Sequence, residues 1–203
     1  MDRDDWNARY SGAELLWKAE PNRFLVEEVA DLQAGRALDV ACGEGRNAVW
    51  LAGRGWQVTG VDFSDVALSK ARRMATDRQV AVEWVDADLA EWAPPAGAFD
   101  LIIVFYLQLP AEERHQVYGR MAGGLAPGGT FLVVGHDSEN LTGGYGGPQD
   151  PRFLFSAPDV AADLPGFEIV KAEQVGRPVD TEEGPRTALD ALVRAVRART
   201  SSS

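Results

Sequence analysis

Cysteine is almost absent from this chain. Cys42 stands alone among 203 residues, so no internal disulfide can form, which fits a reducing compartment such as the cytoplasm. The same scarcity removes a cysteine metal cluster, and the two separated histidines, His115 and His136, do not replace it. No bound metal is expected. Long apolar runs are missing too. None approaches the roughly 18 to 20 residues that cross a bilayer, so no membrane partner is expected. The start, MDRDDWNARY, is acidic and polar, unlike a signal peptide. Basic charge is in deficit: 20 Lys and Arg face 31 Asp and Glu, a formal net charge of −11. Phosphate backbones are normally neutralised by a basic face, so DNA and RNA are disfavoured as substrates and small molecules stay open.

What is present reads as an ordinary globular domain, 45% hydrophobic and 25% charged. The length suits one sizeable core, hence a single domain over 1–203. Within it, residues 1–35 form an aromatic arm and a helix, and 200–203 a frayed tail. Segments 36–41, 57–61, 80–85, 99–104 and 130–135 read as buried strands, short, branched and bounded by turn formers. Helical patterns lie between them. One runs from Arg46 to Gly53. A second starts at Ser64, a good N-cap, with Val66, Leu68, Ala71 and Ala75 facing inward. Another follows Pro110, with Val117, Met121 and Leu125 toward the sheet. Such alternation implies an α/β fold, a doubly wound sheet with helices on both faces. APGG (126–129) reads as the turn into the fifth strand, and 87–98 as the least regular crossover. The segment 136–156 is rich in glycine and long for a simple connection. FEIVKAEQVGRPV then reads as a strand, while TALDALVRAVRA (187–198) is open between helix and returning antiparallel strand.

The stretch ALDVACGEGRNAVWLA carries the chemistry. Gly43, Gly45 and Ala48 satisfy G-x-G-x-x-G/A after a strand, and Asp62 ends the next strand. That pattern fits a dinucleotide site and equally an S-adenosylmethionine (SAM) site. Asp39 separates them. A dinucleotide places its pyrophosphate at this helix start, where an additional carboxylate repels it. SAM has no phosphate and carries a sulfonium and an ammonium. The reading is therefore SAM, with glycines that let main chain approach the ligand. Asp62 can accept from both ribose hydroxyls, and Phe63 can cover an adenine face. Asp88 ends the third strand, where an acid can accept from the adenine amine, and its spacing from Phe99 and Asp100 favours it over Asp86. Either acid can instead be a solvated loop carboxylate.

These residues resemble the class I SAM-dependent methyltransferases. CGEGRN followed by LA..G..V..VD is similar to the small bacterial tellurite-resistance and thiopurine-methyltransferase-like branch, and LAPGGTFLVV resembles the turn and fifth strand of that superfamily. The resemblance covers roughly residues 20 to 135. It implies a Rossmann-like seven-stranded sheet of order 3-2-1-4-5-7-6 with strand 7 antiparallel, SAM as cofactor and S-adenosylhomocysteine as product. Carried over, Asp39, Ala41, Cys42 and Gly43 line the methionine and ribose side, Asp62 and Phe63 hold ribose and adenine, Asp88 and Leu89 the adenine edge, and Val104 backs the sulfonium. Arg46 and Asn47 can reach the methionine carboxylate, although Arg46 can equally be a surface residue. Ala41 replaces the first glycine of D/E-x-G-x-G-x-G and is tolerable if its φ is negative. Cys42 reads as a small buried hydrophobe.

Methyl transfer needs alignment and a dry pocket, and a base only if the acceptor must lose a proton. Tyr106 and His136 are the catalytic candidates, with Gln108 and Asp137 nearby. His136 is either a base or substrate contact, or simply bonded to backbone. His115 reads as a surface residue. Trp6, Tyr10 and Trp17 either fold over the cofactor, where aromatic faces attract cations, or only pack the first helix. The loop with Tyr145 is the other lid candidate. No acidic cluster matches a catechol-type Mg²⁺ site, and VFYL stands where amino-methylating nucleic-acid enzymes carry NPPY or DPPY. The expected acceptor is a small molecule: a thiol, a heterocycle or a chalcogen oxyanion, with O- or N-methylation of a metabolite, or a non-catalytic SAM-binding module, as alternatives. The oligomeric state stays open.

Overall fold

The computed structural model describes residues 2–12, 14–16 and 19–199, so Trp17 and the expected frayed tail at 200–203 lie outside the described residues. The chain opens with α1 (Arg3–Tyr10), started by a reciprocal capping box between Asp2 and Asp5. Helix α2 (Arg23–Glu28) follows, and Asn22 caps it by accepting from the Phe24 N–H at 2.9 Å. Strand and helix then alternate: β1 (Arg36–Val40), α3 (Arg46–Ala52), β2 (Gln57–Asp62), α4 (Asp65–Asp77), β3 (Val82–Asp86), β4 (Phe99–Phe105), α5 (Ala111–Gly123) and β5 (Leu125–His136). The C-terminal part adds α6 (Asn140–Gly143), a 3-10 turn at Pro151–Phe153, α7 (Ala157–Ala162), β6 (Phe167–Thr181) and β7 (Gly184–Arg197).

Ser64 caps α4, its Oγ accepting from the Ala67 N–H at 3.1 Å. Leu68, Ala71 and Ala75 are buried as the pattern requires, joined by Ala67 rather than by Val66, which is half-buried. The strands form one seven-stranded sheet of order β3-β2-β1-β4-β5-β7-β6. The first five are parallel, and β7 is antiparallel to both neighbours. The segment 187–198 is thus a strand for nearly all its length. Its alanine, leucine and arginine favour helix locally. Pairing with β5 on one side and β6 on the other outweighs that preference, and residues of both faces, Leu192 on one and Val193 on the other, are buried. APGG proves to be a bulge within β5 rather than a turn before it. Pairing with β4 begins at Phe99↔Leu125, slips, and resumes at Leu101↔Thr130.

The period of two along each strand sorts the core into two layers. Leu38, Val40, Ile102, Val104 and Val133 face α5 and α7, whereas Ala37, Leu101, Ile103, Leu132 and Val134 face α2 and α3. Parity therefore puts Asp39, His136 and Asp190 on the α2/α3 side of the sheet. β7 pairs with β5 only from Val196 to Asp190, so the β6–β7 hairpin continues past the end of β5 as a two-stranded arm. That arm brings Arg177 to Asp180 to the rim of a cavity at the carboxyl ends of the central strands.

Candidate active site

The cavity measures about 1120 Å³, and its floor is the turn between β1 and α3. Asp39, only 2% exposed, accepts from the Ala48 N–H at 3.0 Å through Oδ2. Its Oδ1 has no hydrogen-bond partner among the described residues. Asp62 accepts from the Gly43 N–H at 2.8 Å and the Ser64 N–H at 2.9 Å, so one carboxylate ties the glycine turn to the start of α4. Burial pushes the Asp39 carboxyl up to about 7, against the pull of the Ala48 hydrogen bond and with a smaller push from Asp62. Burial also raises Asp62, opposed by the Ser64 and Gly43 amides. Neither acid has a cation within ion-pairing distance among the described residues. Two buried acids, each with its carboxyl raised by burial, thus line one wall of the cavity with no cation partner among the described residues.

Gly43 adopts φ +53, and a Cβ there would lie 2.9 Å from the Tyr10 Oη. Bare backbone at this point lets the α1 aromatic sit directly on the turn. Gly45, at φ +80, serves packing instead, since a Cβ would meet Trp84 and Ala71 at 2.6 and 2.8 Å. Ala41 corrects an expectation: its φ is +53, not negative. The turn needs the left-handed conformation that glycine supplies in the usual motif, and alanine takes it at a cost of about 1–2 kcal/mol. Cys42 lines the cavity half-buried, and burial, then Asp39 and Asp62, push its thiol well above the usual range. It is not a thiolate nucleophile.

Arg46 and Asn47 open α3 and line the cavity. Arg46 is half-buried with no carboxylate within ion-pairing distance among the described residues. Burial lowers its pKa, while Tyr106, Asp39 and Tyr10 favour the charge and Arg177 opposes it. The Asn47 Oδ1 is already taken by the Asn22 N–H at 2.9 Å, which fastens the segment before α2 over the site. The arm covers the opposite side. Trp6 and Tyr10 stack at 5.6 Å and both line the cavity. Asn7 donates to Asp65 at 2.9 Å and accepts from Ser64 Oγ at 2.6 Å, which holds α1 on α4. Phe63, Asp88 and Leu89, expected to hold the adenine, line the cavity, and Asp88 accepts from the Ala90 N–H at 2.8 Å. Asp86, and not Asp88, ends β3, and it pairs with Arg3 at 3.0 Å.

Val104 does not line the cavity. Strand parity turns it into the α5/α7 layer, fully buried, and Phe105 and Tyr106 border the cavity instead. Tyr106 sits at φ +56, a strained position for a residue of its size. Its hydroxyl donates to Asp190 Oδ2 at 2.7 Å and accepts from Asn22 Nδ2 at 3.4 Å. Burial, then the Asp190 charge, push the phenol far above its usual range, so Tyr106 is a donor and not a base. Its ring lies 4.9 Å from that of His136. Asp137 is buried, accepting from the Glu139 N–H and from Gln174, and Gln108 lines the cavity. His115 lies elsewhere, on the surface of α5, 3.1 Å from Asp163. The glycine-rich segment is anchored rather than loose. Asn140 accepts from the Leu189 N–H and donates to the Gly146 carbonyl, both at 2.7 Å.

Two residues that sequence reading missed complete this end. Asp190, on β7, is fully buried and accepts from Arg177 Nε at 2.7 Å. Arg177, on β6, stands 5.5 Å over the Tyr106 ring. A signal for Asp190 exists, a lone acid inside the apolar run TALDALV, of the same kind that exposed Asp39. Arg177 carries none.

Residues 37–129 match a family model described as a methyltransferase domain. A trans-aconitate 2-methyltransferase of Rhizobium meliloti is 36% identical over 119 residues, 57% of this chain and 44% of that protein. A demethylmenaquinone methyltransferase of Thermus thermophilus is 33% identical over 125 residues, 61% of this chain and 55% of that protein. The chain thus matches about half the length of these relatives. Among solved structures, TehB from Haemophilus influenzae superposes with a TM-score of 0.72 at 18% identity, covering 96% of this chain and 66% of that one. No helix among the described residues is long and apolar enough to cross a membrane. The donor set fits SAM: acids for its cationic centres and hydroxyls, a free arginine for its carboxylate, and an aromatic ring for adenine. Residues 37–129, a little under half of the chain, thus resemble a methyltransferase domain, and the fold is shared with solved methyltransferase structures.

Proposed function

We propose that the protein transfers a methyl group from SAM to a small-molecule acceptor. The observation that carries this reading is the pair Asp39 and Asp62, buried, without a cation partner among the described residues and fixed to the backbone around the glycine turn. At about 1120 Å³ the cavity exceeds the roughly 300–1,000 Å³ usual for one small ligand, which leaves room for donor and acceptor together. When bound, SAM supplies a methyl carbon on a cationic sulfur, open to in-line attack. Asp62 would hold the ribose hydroxyls, Asp39 the ammonium side, Arg46 the carboxylate, and Phe63, Asp88 and Leu89 the adenine. Trp6 and Tyr10 of α1 would exclude water. The acceptor then approaches from the side of Tyr106, His136 and Arg177, which line the remaining cavity.

Thiols, heterocycles and chalcogen oxyanions are the acceptor classes that the sequence resemblance favours, and Arg177 lines the cavity on the side where an acceptor would approach. Net charge does not oppose this, because the field inside a pocket and the charge of the whole chain are separate quantities. The test is calorimetric titration with SAM, S-adenosylhomocysteine and NADH, repeated with Asp62→Ala. Micromolar binding of both adenosyl ligands, weakened at least tenfold by the substitution, is expected. Tighter NADH binding, or no adenosyl-ligand binding, overturns the reading. Binding without turnover of any acceptor supports a SAM-sensing module instead.

A further inference from the structure

His136 ends β5 directly opposite Asp190 of β7, and both side chains lie on the same face of the sheet. The His136 Nδ1 stands 3.4 Å from Asp190 Oδ1. Both atoms are buried, and neither has another hydrogen-bond partner. The other carboxylate oxygen, Oδ2, is committed: it accepts from the Tyr106 hydroxyl and from Arg177 Nε, each at 2.7 Å. Burial alone would raise the Asp190 carboxyl, but contacts with His136 and Arg177 outweigh it and hold the acid below its usual range. One buried N–H···O⁻ bond satisfies both orphaned atoms, and only a proton on Nδ1 can make it. The imidazole is also held in place from both sides. The Tyr106 ring lies against it, and Gly147, at φ +76, covers it so closely that a Cβ would stand 2.9 Å from Nδ1. The Nε2 has no partner among the described residues and is not sealed from the cavity that His136 lines.

We propose that Asp190 is a positioning residue that fixes His136 as the Nδ1–H tautomer, so that Nε2 takes the proton of an acceptor hydroxyl or amine. This use of the base rests on the methyl-transfer reading, whereas the tautomer does not. Bound SAM would supply the methyl carbon, which the acceptor's lone pair would take as the electrons of the carbon–sulfur bond return to sulfur. The acceptor's proton passes to Nε2 and from there to solvent. Facing the imidazole are Asp190 from β7, the un-ionised Tyr106 just after β4 and, through Asp190, Arg177 from β6. Asp190 and Arg177 balance one another, so a neutral imidazole leaves this cluster uncharged. The arrangement suits an acceptor atom that still carries its proton near neutral pH. A thiolate or an oxyanion has no need of it.

The chain has two histidines, so imidazole ¹⁵N–¹H correlation spectra of the full-length protein at pH 8 can be read directly, with His136→Asn assigning the signals. The expected wild-type pattern has the proton on Nδ1. Asp190→Asn tests the cause. Its amide oxygen must face the two donors, Tyr106 and Arg177, which turns the amide NH₂ toward Nδ1 and inverts the tautomer to Nε2–H. Tyr106→Phe removes one donor to Oδ2 and is expected to leave the proton on Nδ1. An Nε2–H tautomer in the wild type, or an unchanged tautomer in Asp190→Asn, overturns the proposal. If Asp190→Asn does not fold, the wild-type and Tyr106→Phe spectra decide it alone. The spectra need no SAM, so their failure is distinct from failure of the binding titration.

Discussion

Replacing Asp39 by asparagine separates what this acid does for the fold from what it does for the ligand. In the folded chain burial carries its carboxyl from the ordinary 3.8 up to about 7. Between these values the folded protein holds a proton that the unfolded chain has released. The contribution favouring the fold is therefore complete below about pH 4 and is lost as the pH rises through 7. Three pH units correspond to about 4 kcal/mol at most. The amide of Asp39→Asn carries no charge to desolvate and keeps an oxygen for the Ala48 N–H. At pH 8 and without ligand, the variant should be the more stable protein by up to about 4 kcal/mol, or roughly 8–16 °C in melting temperature. The gap should close toward pH 5. SAM affinity should move the opposite way, falling at least tenfold in the variant, while wild-type affinity improves as the pH rises through 7. Thermal melts at pH 5 and pH 8, with calorimetric titration of SAM, measure both. A variant less stable than the wild type at pH 8, or a gap equal at the two pH values, refutes the desolvation argument.

The left-handed Ala41 gives a second test. Ala41→Gly relieves a strain of about 1–2 kcal/mol and adds back unfolded-chain entropy of about 0.4–1 kcal/mol, so the urea midpoint should rise slightly. A clear fall shows that the alanine methyl packs usefully in the wall. Arg46→Met removes a half-buried cation that has no carboxylate partner among the described residues. Its melting temperature should hold or rise, while SAM affinity drops about tenfold, the scale of one charge-assisted pair. Equal affinities would remove Arg46 from the cofactor site.

Local pattern was enough for the first half of the chain. Asp39, Gly43 and Asp62 belong to a strand–turn–helix–strand unit whose geometry follows from near neighbours, so spacing alone located the turn and the acids around it. Asp88 was chosen over Asp86 by spacing, and the structure sets Asp88 at the cavity and Asp86 against Arg3. Periodicity also carries the two-sided burial of β4, whereas Val104, carried over from the resemblance to back the sulfonium, turns its side chain into the α5/α7 layer. Burial on both faces erases the alternation that would show which residue points where.

The end of the cavity that holds Tyr106, His136 and Arg177 depends on pairings that no local pattern encodes. His136 and Asp190 meet because β7 runs back antiparallel beside β5 in the register that sets them opposite each other. Arg177 reaches them because β6 and β7 extend together beyond the end of β5. The residues of TALDALVRAVRA favour helix on their own, and only the empty place between β5 and β6 makes them a strand. The sequence by itself determined the parallel α/β frame and the acidic glycine turn, since each is built from contacts within a few residues or one crossover. Only the tertiary structure decided what stands across from that turn, because hydrogen-bond pairing between distant strands, and not local propensity, chooses the face and neighbour of each side chain there.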